Sequence, residues 1–357
     1  MEQTETSTDV RPIVTPSLIL PGAAGGTPAE FTPEVLARLQ ELEDRSKKHE
    51  QNLRPTNTVD GYAADWKQWE QFTALLELPV TAITPGSLTA FVEWLWFQPG
   101  WKEGTYTAPS TIDRRLSGVV VTGRIEHGLL LAKTVATRAR RVLQAKVKEM
   151  EKTGEVRGRG PAPAFTVPQL RAAVAAAPDN LLGLRNRAIG TLAFALMARE
   201  HEIAYLRLRD LVDHENGLLA DVRVSKVKPR RAKIPQGSRP STCPVRTWRA
   251  WRNAAGLTDP DGFAFRRLHP RWHTVMDSGL DPETIGDVIT SLGAAAELEV
   301  KHTGHSTRRG GADAARQAGA DRKAIAVHGG WAPNSSALEV YFDDGEGWED
   351  NAMNGVL

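Results

Sequence analysis

The segment Lys301–Asp344 reads KHTGHSTRRGGADAARQAGADRKAIAVHGGWAPNSSALEVYFDD, and the rest of the chain is organised around it. The Ala-rich run HSTRRGGADAARQAG has the composition of a helix. In such a helix His305 and Arg308, three residues apart, share one face of the N-terminal turn, where oxyanions bind well. Gly319 and Asp321 break the pattern, ADRKAIAVH resumes it, and Gly329-Gly330 ends the second helix just ahead of Trp331. Tyr341 follows the apolar run Ala337, Leu338, Val340, which places its phenol on a short helix able to face the His305/Arg308 turn. A cation, an imidazole, an indole N–H and a phenol thus converge on one phosphate.

GHSTR, GGW and VY, in this order and at this spacing, resemble the tyrosine recombinase (phage integrase) family, most closely its Cre-like members. That family carries His-x-x-Arg, then a His or Trp after a Gly, then a nucleophilic Tyr. The resemblance extends to AREHEIAYLRLRDL, where Arg199 matches the first catalytic Arg and Glu202 the acidic residue that buttresses the site. It implies a mainly α fold with a small β-sheet or hairpin. A helical core-binding domain would be followed by a mixed α/β catalytic domain, the two closing as a C-shaped clamp on DNA. On Arg199 alone a surface Arg with an i,i+3 Glu partner is the simpler reading, and only residues 305 to 341 reverse it.

A chain of 357 residues exceeds the usual domain size, and 41% hydrophobic residues suffice for two cores. The formal net charge of +2 argues neither for nor against nucleic acid, so the distribution of charge must decide. A single cysteine, Cys243, forms no intramolecular disulfide and fits a reducing cytoplasm. MEQTETSTDV lacks a signal-peptide pattern, and no run of about 18 apolar residues is present. The expectation is a soluble, cytoplasmic prokaryotic protein without a membrane partner, nucleoid-associated or encoded by a phage or plasmid.

Taken in order, residues 1–31 have the Thr/Pro/Gly/Ala composition of a disordered arm. Residues 32–151 read as the helical DNA-binding domain. TPEVLARLQELEDRSKKHEQ has a Thr cap and Pro at its first position, and ITPGSLTAFVEWLWF and PSTIDRRLSGVVVTGRIEHG also open on Pro. Between them Tyr62, Trp66, Trp69 and Phe72 form an aromatic stripe on one helix face, best read as core packing. From Lys133 to Arg159 nine Lys/Arg stand against three Glu, a candidate phosphate-contacting surface of Lys133, Arg138, Arg140, Arg141, Lys146, Lys148, Arg157 and Arg159. Residues 152–163 form a basic Gly/Pro linker, and 164–357 the catalytic domain with a C-terminal docking tail.

In that domain NLLGLRNRAIGTLAFALMA is apolar nearly all round and hence a buried helix. LLADVRVSKVKPRRAKIPQG alternates around a basic turn, as a hairpin does, which brings Lys226 on a short β-turn towards the site. In the family such a hairpin supplies the Lys that protonates the leaving 5′ oxygen. Lys226 is the first choice and Lys228 the alternative, and Lys228, Arg230 and Arg231 are further DNA contacts. CPVRTWRAWRNAAG and DPETIGDVITSLGAAA are helices, while FRRLHPRWHTVMD has no clear assignment.

A phosphodiester repels nucleophiles, so a site must neutralise its non-bridging oxygens. Arg199 and Arg308 suit this because each planar guanidinium binds two oxygens and stays charged. With the Trp331 N–H they make a cradle without metal or other cofactor. Tyr341 is then the nucleophile, His305 the acid/base and Lys226 the general acid for the departing hydroxyl. Of the four tyrosines, Tyr62, Tyr106 and Tyr205 sit in packing or surface contexts. A metal site on His302, His305 and His328 lacks a completing carboxylate or Cys cluster, and Cys243 lacks a nearby base for hydrolase chemistry. Two classes remain: a site-specific recombinase, with a type IB topoisomerase as its chemical relative, and a DNA-binding module that has lost catalysis. The complete residue set favours the enzyme. Its expected partners are double-stranded DNA with inverted repeats and three further copies of the chain. Integration, excision and dimer resolution use the same residues.

Overall fold

A computed structural model describes residues 31–53, 56–225, 228–332, 335, 338–339 and 341. Residues 1–30 of the arm read as 1–31, Lys226 and the tail after Tyr341 lie outside the described residues. The chain divides into two compact units, one ending at Gly158 and the other beginning at Arg159.

The first unit is helical: α1 (Pro33–Leu53), α2 (Thr56–Leu75), α3 (Pro85–Trp96), α4 (Pro109–Ile125) and α5 (Thr137–Thr153). Thr84 and Ser87 cap the start of α3 reciprocally, which satisfies donors that a helix end otherwise leaves free. The aromatic stripe of α2 points inward, with Trp66, Trp69 and Phe72 all buried. Trp69 donates its indole N–H to the Val80 carbonyl at 2.8 Å and meets Phe91 edge-on at 5.1 Å, so its polar edge is satisfied inside the core. On α5, Ala139 and Leu143 face inward while Arg138, Arg141 and Lys148 are exposed at spacings that share one face.

Some of the cations expected on that surface are engaged elsewhere. The Arg157 side chain is only 3% exposed. Its guanidinium lies over the Trp96 ring at 3.9 Å and donates to the Trp96 carbonyl at 2.6 Å, so it is a packing residue rather than a surface phosphate contact. Arg140 bonds Asp113 and Ser117, and Lys146 sits over Trp96 at 5.6 Å.

Replacing Trp69 by Ala removes a fully buried ring together with its hydrogen bond, and is expected to cost about 3–5 kcal/mol. Urea unfolding followed by circular dichroism measures this, and a loss under about 1 kcal/mol would contradict the packing described.

The second unit contains α6 (Val167–Ala176), α7 (Leu181–Ala195), α8 (Glu200–Ala204), β1 (Leu211–His214), β2 (Gly217–Val222), β3 (Arg230–Pro235), α9 (Pro244–Ala254), β4 (Arg266–Leu268), β5 (Val275–Gly279), α10 (Pro282–Ala295), α11 (Gly304–Gln317) and α12 (Arg322–Gly329). Asn180 caps α7, whose Ala188, Ile189 and Leu192 are buried. α7 packs against α9, which supplies the buried Trp248 and Trp251. The strands form an antiparallel sheet in the order β1-β2-β3. Alternation sends Leu218, Ala220, Val222, Ala232 and Ile234 into the same core.

Two features go beyond the sequence reading. LVDH adds strand β1. Pairing of β2 with β3 stops at Val222–Arg230, which leaves residues 223–229 between the strands; the β-turn read at Lys226 lies outside the described residues. The unassigned FRRLHPRWHTVMD lies on a second hairpin in which Leu268 pairs with Val275. Among the described residues no helix is long and apolar enough to cross a membrane.

Candidate active site

α7 runs out at its C-cap Leu196, and Met197 then adopts a left-handed φ of 48°, costly for a residue with a side chain. The reversal places Arg199 as the N-cap of α8 with Glu202 at its third position. The Glu202 side chain is 0% exposed and its carboxylate is shared four ways. Arg199 donates from its backbone N–H to Oε2 at 3.1 Å and from Nη1 to Oε1 at 3.0 Å. Ser225 Oγ donates to Oε1 at 3.0 Å, and Arg230 Nη2 to Oε2 at 2.9 Å. Burial alone would push this carboxyl's pKa up, but the Arg230 bond and charge, the Arg199 N–H and the Ser225 hydroxyl outweigh it and bring it down to about 2.

This pKa lies below the unfolded value of 4.5, so the stabilisation is fully present above pH 4.5 and is lost as pH falls towards 2. A shift of that size corresponds to roughly 3 kcal/mol. The unfolding free energy of the wild type should therefore fall more steeply across that window than that of Glu202→Gln. Parallel pH profiles of the two proteins in chemical denaturation would contradict the assignment.

α11 opens with Thr303 and Ser306 capping each other. His305 is exposed on the first turn, whereas Arg308 is 2% exposed. The two share a turn, as their spacing required, but not an environment. Arg308 Nη1 donates to the Met197 carbonyl and, at 2.8 Å, to the Gly329 carbonyl. It thereby ties the strained end of α7 to the end of α12. Its Nη2 is buried without a hydrogen-bond partner among the described residues. Burial, followed by the charge of Arg199, pushes the Arg308 pKa down to about 9, with Arg230 adding to the fall and Glu202 and Tyr341 opposing it.

α12 is capped by Asp321 and ends on Gly330 in the left-handed conformation, φ 67°. The chain then folds back, and the backbone N–H of Trp331 donates to the Ala326 carbonyl at 2.9 Å, as glycine helix ends do. A Cβ on Gly329 would stand 1.7 Å from Trp331 Cζ3, so only glycine lets the indole lie there. Trp331 is 6% exposed, and the Arg308 guanidinium lies 3.6 Å from its ring centroid. Tyr341 meets Trp331 edge-on at 5.9 Å and 82°. The indole face therefore orients Arg308, a role beyond the N–H donor read from sequence.

Arg199, Glu202, Arg308, Trp331 and Tyr341 thus form one neighbourhood, and His305 lies exposed on the same α11 turn as Arg308. Lys226 lies outside the described residues, and Lys228 is exposed in the loop. Arg231 is spent on a two-point bond to Asp221. Arg230 is the main correction. Expected as a surface DNA contact, its side chain is 6% exposed; beyond Glu202 it bonds the His328 carbonyl at 2.9 Å and the Leu196 carbonyl at 3.2 Å. The signal was present in the sequence, for Arg230 has the strand parity of the inward Ala232 and Ile234.

Glu200 also escaped the sequence reading. Its carboxylate lies where a Cβ on Gly286 or Gly304 would stand, wedged between α10 and the start of α11. Burial and the neighbouring Asp287 and Glu283 raise its pKa against the Gly304 N–H. Among the described residues no group of three His, Cys, Asp or Glu is placed to hold a metal.

Three guanidiniums near one carboxylate leave surplus positive charge and, on Arg308, a buried N–H without a partner among the described residues, which an oxyanion would satisfy. Inorganic phosphate or vanadate, titrated at constant ionic strength, should raise Tm, by about 1.4 kcal/mol of stabilisation at ten times its Kd. Arg308→Ala should abolish the rise, and a flat wild-type Tm would contradict an oxyanion site.

No protein-family model matches the chain. Over 323 residues it is 22% identical to an integrase/recombinase XerD homologue of Selenomonas ruminantium, spanning 88% of this chain and 89% of that one. Among solved structures it resembles the XerH site-specific recombinase bound to palindromic difH substrate after cleavage, with a TM-score of 0.55 and 12% identity over 88% of this chain and 85% of that one. The Tn1549 transposon integrase with circular-intermediate DNA gives a TM-score of 0.52 and 15% identity over 89% and 98%. The chain has the fold of the tyrosine recombinases. In that fold the motifs GHSTR, GGW and VY are not merely in order along the sequence, since Arg308, Trp331 and Tyr341 touch in series.

Proposed function

We propose that this protein is a tyrosine-type site-specific DNA recombinase that cleaves and rejoins strands through a 3′-phosphotyrosine intermediate. The observation that carries this reading is the cluster of guanidiniums at Arg199, Arg230 and Arg308, with the Glu202 carboxylate bonded to the first two, beside the half-buried Tyr341. Arg199 and Arg308 neutralise the non-bridging oxygens as charge grows on them. The Tyr341 oxygen bonds to phosphorus as its proton passes to His305. The bond to the 5′ oxygen breaks, and that oxygen takes a proton from Lys226, with Lys228 as the alternative donor. The phosphotyrosine ester keeps the bond energy, so a 5′ hydroxyl can reverse the step without ATP.

The substrate is double-stranded DNA. The exposed Arg138, Arg141 and Lys148 on α5 are proposed phosphate contacts of a core-binding domain over residues 32–151, with 164–357 as the catalytic domain. The XerH structure similar to this chain is bound to palindromic difH substrate, which supports paired inverted repeats here, and the resemblance to Cre-like enzymes implies four copies in the synapse. Integration, excision or resolution of a mobile element or replicon dimer would all follow from this chemistry.

On a nicked substrate Tyr341→Phe should bind DNA yet form no adduct that survives denaturation. Arg199→Ala and Arg308→Ala should each lose about 2.7–4 kcal/mol of transition-state stabilisation in single-turnover cleavage while binding changes little. EDTA should leave the rate unchanged. A denaturation-resistant adduct with Tyr341→Phe, or wild-type cleavage by either Arg variant, would refute the assignment.

A further inference from the structure

The loop between β2 and β3 is held at both ends by a single carboxylate. At its start Ser225 Oγ donates to Glu202 Oε1 at 3.0 Å. At its end Arg230, the first residue of β3, donates to Glu202 Oε2 at 2.9 Å. The same two oxygens accept the Nη1 and backbone N–H of Arg199. Only residues 226–229 separate the anchors, a span whose reach is limited to about 3.3–3.6 Å per residue. Both candidate proton donors, Lys226 and Lys228, lie within that span.

Arg230 has little left to offer a substrate directly. Its Nε and Nη2 are committed to the His328 and Leu196 carbonyls and to Glu202. Its remaining Nη1 is buried without a hydrogen-bond partner among the described residues, against the backbone of Gly330, where a Cβ would stand 3.0 Å away. The residue therefore joins four pieces: the end of α7, the end of α12, the loop and the Arg199 turn. Ser225 spends its hydroxyl on the same hub.

We propose that Ser225 and Arg230 are positioning residues that clamp both ends of the β2–β3 loop onto the carboxylate that orients Arg199, so that the proton donor for the leaving group and the phosphate-binding arginine stay in one register. This rests on the recombinase reading above and extends it to how the general acid is placed. Without the clamp the loop is free to move while Arg199 still meets the phosphate. The loss should then fall on protonation of the departing oxygen and not on neutralisation of the non-bridging oxygens.

That distinction can be read with two DNA substrates. In one the scissile phosphate has its natural 5′ oxygen; in the other a bridging sulfur replaces it, and a thiolate, being far less basic than an alkoxide, leaves without a proton. The full-length protein is used, with Ser225→Ala as the mild variant, since it leaves no buried charge unpaired, and Arg230→Lys as the stronger one. On the oxygen substrate Ser225→Ala should slow single-turnover cleavage roughly tenfold, the scale of one hydrogen bond to a charged group, and Arg230→Lys should slow it more. On the sulfur substrate Ser225→Ala should approach the wild-type rate, as should the Lys226→Ala/Lys228→Ala double variant, and Arg230→Lys should lose less than on the oxygen substrate, while Arg199→Ala should stay slow on both. Equal deficits on the two substrates, or wild-type rates on the oxygen substrate, would overturn the clamp. Failure of the underlying reading shows separately, as a wild-type protein that forms no Tyr341-dependent adduct on either substrate.

Discussion

One buried carboxylate holds the catalytic unit together. Glu202 has no solvent exposure, and its charge is tolerated only because Arg199, Arg230 and Ser225 surround it with donors. The dependence runs both ways. Arg199 and Arg230 come from a turn and a strand that this group joins, and removing it would leave two guanidiniums facing each other and Arg308 across a site of low dielectric. The excess of cations over that single anion gives the site its chemistry: neutral packing is incomplete until another anion arrives.

The second half of the site is built from close approach rather than charge pairing. Gly329 lets the indole of Trp331 lie against the helix end, Gly330 supplies the left-handed turn, and the indole then forms a floor for the Arg308 guanidinium. Arg308 in turn bonds the carbonyl of the strained Met197. Strain at Met197 is held by the same guanidinium that would bind substrate, so the turn leading into Arg199 and the helix carrying Arg308 are fixed relative to each other before any phosphate is present. Such preorganisation is what transition-state stabilisation by charge requires.

Much of this was legible in the sequence because short motifs dictate local geometry. The Gly-Gly-Trp exit of α12, the helix that carries His305 and Arg308, the apolar α7 and the inward aromatic stripe of α2 follow from spacing and composition alone. What was not legible depended on tertiary partners. Arg230 and Arg157 sit in runs of basic residues that look like a solvated, phosphate-contacting surface, yet one is drawn in by Glu202 and the other by the Trp96 ring. Strand parity with Ala232 and Ile234 marked Arg230 as inward, but the charge run masked it. The i,i+3 spacing of His305 and Arg308 fixed their common turn, though not that only Arg308 would be buried where α7 and α12 end. β4 and β5 are short strands whose pairing no local pattern announces.

The account rests on Tyr341 being the atom source that displaces the 5′ oxygen beside the arginine cluster. The most direct measurement is to trap the covalent complex on a nicked recombination site, digest the DNA and the protein, and locate the residual nucleotide by tandem mass spectrometry. The account predicts a nucleotide joined through its 3′ phosphate to the peptide containing Tyr341. A nucleotide on any other residue, or one attached through its 5′ phosphate, would contradict it.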